Sequence, residues 1–124
     1  MNILVRCKNL MQVITVCGSS RFKDKILEIE EQLTRNGYCV LGKIFNISGK
    51  EFKDNERKYL IESHKKKIEL SDVIYVCNID GYTGEDTKNE IEYAKSLNKK
   101  VYYHLKNLYE VIQPNTNNSA MSMK

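Results

Sequence analysis

The chain has 124 residues, 41% of them hydrophobic, and a net charge of +4. That length suits one domain and excludes two. No apolar run approaches the roughly 18 residues of a membrane helix. The apolar stretch at residues 3–5 is too short for a signal-peptide core, so a soluble, cytoplasmic protein without a membrane partner is expected.

The elements alternate along the chain. Residues 12–17 read as a buried strand around Val13, Ile14 and Val16, ended by Gly18-Ser19-Ser20. Phe22, Ile26, Ile29 and Leu33 then recur at helical spacing, with Ser19 or Ser20 as N-cap and Gly37 as the closing glycine. Residues 38–41 form a second short strand. Residues 42–54 form a loop containing Gly49, expected to be mobile and to overhang a ligand. A second helix spans about 55–70, with Tyr59, Leu60, Ser63, Lys67 and Leu70 near one face, and Ser71-Asp72 stops it.

Residues 73–77, V-I-Y-V-C, are the clearest strand. A loop with Gly81 and Gly84 leads to a third helix ending near Leu97, whose inner face carries Thr87, Ile91, Ala94 and Leu97. Residues 101–105 form a fourth strand. The polar tail over 113–124 is expected to be disordered. Residues 1–10 are an extension or an extra edge strand, which leaves 11–112 as the domain. The alternation predicts an α/β, Rossmann-like or flavodoxin-like domain: a parallel sheet of four or five strands flanked by helices.

The positive charge mildly favours an anionic ligand. The densest basic run, Lys65-Lys66-Lys67, falls in a helical pattern with no aromatic-interleaved stripe, so a solvated helix face is expected and no nucleic-acid partner. None of Cys7, Cys17, Cys39 and Cys77 is paired at C-x-x-C spacing, which argues against zinc. Three lie in apolar runs and read as reduced, buried thiols. Neither a metal nor an organic cofactor is expected.

Ligands of open α/β sheets bind beyond the C-terminal strand ends. The turn Cys17-Gly18-Ser19-Ser20-Arg21-Phe22 there reads either as an anion cradle at a helix N-terminus or as a tight capped turn. It is neither G-x-G-x-x-G nor a P-loop. His64 and Lys67 share a helix face and are further candidates, although a lone helix histidine more often packs or faces water. Asp72 lies at the opposite end of its strand and reads as a turn residue. In the loop and helix from 78 to 94, Asp86 or Thr87 serves as N-cap. T-x-x-E then makes Glu90 a capping-box residue, or else places it in the first turn facing a sugar.

Three segments, C-G-S-S-R-F-K (17–23), H-K-K-K-I-E-L-S-D-V-I-Y-V (64–76) and G-Y-T-G-E-D-T-K-N-E-I-E-Y-A (81–94), resemble the nucleoside 2-deoxyribosyltransferase-like superfamily, with similarity over about 12–105. In that family a glutamate in an E-x-x-x-A helix start acts on the anomeric carbon, and the resemblance gives Glu90, followed by Ala94, that role. It implies that Gly18, Ser19, Ser20 and Arg21 hold the sugar 5′ end or its phosphate. Tyr82, Gly84, Asp86 and Thr87 would complete the ligand-binding set. C-G-S-S also resembles the phosphoribohydrolases that release cytokinin bases, whose P-G-G-x-G-T-x-x-E is partly echoed by G-E-D-T-K-N-E.

The implied activity is cleavage or transfer at the N-glycosidic bond of a (deoxy)nucleoside or its 5′-monophosphate, in a homodimer or higher homo-oligomer. Glu90 is the nucleophile or the stabiliser of an oxocarbenium-like state. The family's early aspartate, which protonates the leaving base, has no match: Asp24, Asp54 and Asp72 all stand outside its context. Two alternatives are a nucleotide-binding or sensing protein without turnover, and a glycohydrolase of NAD or a cyclic-nucleotide signal.

Overall fold

The sheet is built outward from β1 (Val13–Gly18). A computed structural model describes residues 11–104. There β1 pairs in parallel with β2 (Cys39–Leu41) on one side and with β3 (Val73–Cys77) on the other. Strand β4 (Lys100–Tyr103) pairs in parallel with β3, which gives the order β2-β1-β3-β4. Helices α1 (Lys23–Arg35), α2 (Asp54–Leu70) and α3 (Glu85–Ser96) connect successive strands. The result is a small Rossmann-like, flavodoxin-like α/β domain with an all-parallel sheet, as the alternation predicts. Residues 1–10, Leu105 and the polar tail lie outside the described residues.

Both sheet faces are covered, which is why β1 and β3 read as unbroken apolar runs. Alternation sends Ile14 and Val16 of β1, with Val73, Tyr75 and Cys77 of β3, against Ile26, Ile29 and Leu33 of α1. Cys17, Ile74 and Val76 point the other way, against Ile68 of α2 and Ile91 and Ala94 of α3. Two polar side chains within these layers have partners. Thr15 Oγ1 donates to the Lys67 carbonyl at 2.9 Å, and Tyr75 Oη lies 2.7 Å from His104 Nδ1.

At Gly18, α1 and the sheet pack closely. A Cβ there would lie 3.0 Å from Ile26 Cδ1 and 3.1 Å from Cys77 Cβ. Gly37 adopts φ +94° and closes α1, with Gly37 N bonded to Thr34 O and Tyr38 N to Leu33 O. Ser19 caps the short 3₁₀ turn Ser20–Phe22 that precedes α1, its Oγ accepting from Arg21 N at 3.3 Å.

Two helices differ from expectation. The buried face of α2 carries His64 and Ile68, whereas Tyr59 and Leu70 are 64% and 62% exposed. Helix α3 begins at Glu85 behind Gly84, so Thr87 lies inside its first turn and Glu90 in its second. No T-x-x-E capping box forms. Glu85 and Asp86 occupy the first turn, where the helix dipole favours acidic residues. Among the described residues no helix is long and apolar enough to cross a membrane.

Candidate active site

Chain direction locates the site. From β1 the chain turns toward β2, and from β3 it turns toward β4, so the C-terminal ends of β1 and β3 flank a crevice at the point where the strand order reverses. A cleft of about 910 Å³ opens here, among α2, α3, the loop after β2 and the start of α1. That volume is in the range of small-molecule sites.

The floor joins three elements. Cys17, next to last in β1, is fully buried, and its Sγ lies 3.4 Å from His64 Nε2 on α2. The same nitrogen is 3.5 Å from Glu90 Oε1 on α3, with the two side chains 11% and 19% exposed. Glu90 is placed by the helix repeat: it stands one turn after Thr87 and one before Ala94, both buried, so it rides the edge of the inner face of α3.

Burial dominates the electrostatics of this cluster. It raises the Glu90 carboxyl to about 7, aided by nearby Asp86 and opposed by the Lys43 charge and by a hydrogen bond from Cys17. Burial lowers His64 to about 4, and Lys43 and Lys67 push in the same direction. The Cys17 thiol is pushed well above its ordinary value, by burial first and then by Glu90. Between about pH 4 and 7, then, His64 and Glu90 are both uncharged, and their 3.5 Å approach is a neutral contact instead of an ion pair.

The walls are more basic than acidic. Lys23, Lys43, Arg57, Lys65 and Lys67 face the cleft against Asp86, Glu90 and Glu92, while Ile44, Phe45, Phe52 and Leu60 supply apolar surface. The loop after β2 is held from both sides of the sheet. Lys67 Nζ donates to Gly42 O at 2.8 Å, and Lys43 N donates to Glu30 Oε2 at 3.0 Å. Farther on, Asn46 makes its own turn, accepting from Gly49 N and donating to Lys50 O, with Gly49 at φ +81°. Across the cleft, Tyr93 of α3 hydrogen-bonds Glu69 of α2, with Lys65 Nζ 5.2 Å from its ring centre.

The sequence-derived residues divide into three groups. Ser20, His64, Lys67, Asp86 and Glu90 line the cleft together. Gly18, Ser19, Arg21, Tyr82 and Gly84 do not line it: Gly18 is buried between α1 and β3, Ser19 caps the turn before α1, and Arg21, Tyr82 and Gly84 form a separate patch. There the Arg21 guanidinium lies 4.0 Å over the Tyr82 ring, Tyr82 meets Phe22 edge-on, and Gly84 backs the Tyr82 hydroxyl. Thr87 is turned into the core at 3% exposure, and Asp72 stands at the far end of the sheet. Asp72 Oδ2 there accepts from Val13 N at 2.8 Å, and Asp72 N donates to Val13 O at 2.7 Å. This clamp on the first residue of β1 is a structural turn, as its position predicts.

Cys17 and Lys43 escape a reading by local pattern. Cys17 looks like any apolar strand residue, and only period-two alternation from Thr15 puts it on the α2–α3 face. Lys43 follows β2 by two residues in a segment without periodicity. Cysteine spacing along the chain also cannot reveal the floor cluster, because β1, α2 and α3 each supply one atom of it.

No protein-family model matches the chain, and no curated protein matches it.

Proposed function

We propose that the protein cleaves or transfers at the N-glycosidic bond of a (deoxy)nucleoside or its 5′-monophosphate, with Glu90 as the carboxylate at the anomeric carbon. The observation that carries this reading is Glu90 itself: a largely buried carboxyl, raised to about 7, on the floor of a nucleotide-sized cleft. The resemblance of residues 81–94 to the superfamily's glutamate segment points to the same residue.

The chemistry follows from the environment. As the C1′–N bond breaks, its electron pair leaves with the base and positive charge grows on the sugar. A carboxylate poorly solvated in the ground state gains more from that charge than one in water, so it stabilises the transition state selectively. An Oε–C1′ bond then forms, or the ion pair persists, until water or a second base attacks C1′. The departing base needs a proton. His64, uncharged above about pH 4, is a poor donor for it. The proton comes from solvent water, which reaches the base through the open cleft. The five basic residues of the walls suit a 5′-phosphate. The homodimer implied by the resemblance belongs to this proposal, and sedimentation of the full chain measures it.

The test is incubation with a panel of nucleosides and their 5′-monophosphates, with chromatography of the free base. Base release that Glu90→Ala lowers by a factor on the order of 10² or more supports the reading. No release from any compound, or release undiminished in the variant, refutes it. An intact ligand that nonetheless raises Tm would leave a binding protein without turnover.

A further inference from the structure

The geometry points to a three-ligand site for a thiophilic divalent cation of the zinc class, made by Cys17 Sγ, His64 Nε2 and Glu90 Oε1, with its fourth position open to the cleft. With metal–ligand bonds of roughly 2.0–2.3 Å in a tetrahedron, neighbouring ligand atoms stand about 3.3–3.6 Å apart. The two edges that share His64 Nε2 are 3.4 and 3.5 Å, and all three ligand atoms lie within 4.8 Å of one another. Two edges of the cluster thus match a zinc tetrahedron, and the third closes within 4.8 Å.

Hydrogen bonding joins Cys17 to Glu90 but leaves His64 Nε2 shared between them. One ring nitrogen bears either a proton or a lone pair, so Nε2 serves one of its two neighbours at a time. A cation at the centre serves all three. A sulfur, an imidazole nitrogen and a carboxylate oxygen are the donor types zinc accepts, three protein ligands with an open place being the catalytic pattern.

Charge also fits. His64 gives a lone pair as the neutral imidazole, and Cys17 and Glu90 ligate after losing their protons. On binding, those protons pass to solvent, and thiolate and carboxylate together neutralise the dication. Lys43 is the cation whose charge reaches all three groups, and it leaves the occupied site with one net positive charge. Each ligand is on a rigid element. Cys17 is fixed by its register opposite Val76, and entry runs through the cleft past His64 and Glu90.

This site goes beyond the glycosidic reading and is separable from it. A bound cation would neutralise the Glu90 carboxylate that acts on the sugar, so metal and glycosyl chemistry exclude one another. Zinc is then an inhibitor of any base release.

The experiment is titration of the chelator-treated full chain with cobalt(II), read by absorbance. We expect a thiolate-to-cobalt charge-transfer band and intense tetrahedral d–d bands, saturating at one ion per chain and bleached by zinc. Cys17→Ser should abolish the charge-transfer band. His64→Ala and Glu90→Gln should each weaken binding at least tenfold, while Cys39→Ser, which removes an exposed thiol, should leave the spectrum unchanged. Circular dichroism checks the fold of each variant. If Cys17→Ser does not fold, the His64 and Glu90 variants decide. No charge-transfer band in the parent protein, or one indifferent to the Cys17, His64 and Glu90 changes, overturns the proposal. Because no substrate is involved, failure here leaves the base-release assay untouched, and the reverse holds.

Discussion

Replacing Glu90 by glutamine keeps its shape and removes its charge, and the consequence for stability depends on pH in a direction the structure fixes. The carboxyl moves from 4.5 to about 7 in the native protein, chiefly through burial. The folded state therefore prefers the protonated form. That contribution to stability is fully present below pH 4.5 and is lost as pH rises through 7. At 1.36 kcal/mol per unit, the ionised group would oppose folding by about 3 kcal/mol at pH 8 and by less than about 1 kcal/mol at pH 5. Since the side chain is 19% exposed, screening trims the larger figure to about 2–3 kcal/mol.

Glutamine has no such penalty. Chelator-treated Glu90→Gln should exceed the parent in Tm by on the order of 10 °C at pH 8 and by much less at pH 5. His64, lowered to about 4, acts with the opposite sign: its contribution is lost as pH falls from 6.5 through 4. It does so in both proteins and cancels in the comparison. Thermal denaturation of the pair at the two pH values is the assay. An equal Tm difference at pH 5 and pH 8 would show that the Glu90 carboxyl is not held protonated by burial.

Other predictions concern the site and its frame. If Glu90 acts as the ionised carboxylate, kcat/KM for base release climbs with pH and levels above about 7; a profile that falls through 7 makes it a proton donor instead. Gly18→Ala forces a methyl group against Ile26 and Cys77 and should lower stability by about 1–3 kcal/mol in urea denaturation, and an unchanged midpoint would contradict the close approach. Asp72→Ala removes the acceptor of Val13 N and should cost about 1 kcal/mol without altering base release. Lys67→Met frees the Gly42 carbonyl and should raise KM by about tenfold with kcat little changed, which steady-state kinetics would show.

Much of the fold is legible in the sequence because burial there is written in apolar residues. Ile26, Ile29 and Leu33 mark the inner face of α1 at helical spacing, and the five residues of β3 are all buried. Helix α2 is less legible. Its buried positions include a histidine, so a search for apolar residues settles on Tyr59 and Leu70, which face water. The start of α3 misleads for a similar reason. T-x-x-E has the spacing of a cap, yet Gly84 begins the helix and Thr87 is drawn into the core. Glu90 is recognisable by its place after the central strand, whereas Cys17 acquires its neighbours only when α2 and α3 close over the sheet.

The two anchors on the loop after β2 have a consequence for how such a protein diversifies. Glu30 and Lys67 hold Lys43 and Gly42 from opposite layers, and the Asn46 turn beyond them is closed by its own side chain. The loop thus has a fixed root and a self-contained tip. Mutations over residues 44–53 can reshape what enters the cleft without disturbing the charge that Lys43 sets beside Glu90. The shape of the loop tip and the charge beside Glu90 are thus set on separate stretches of chain.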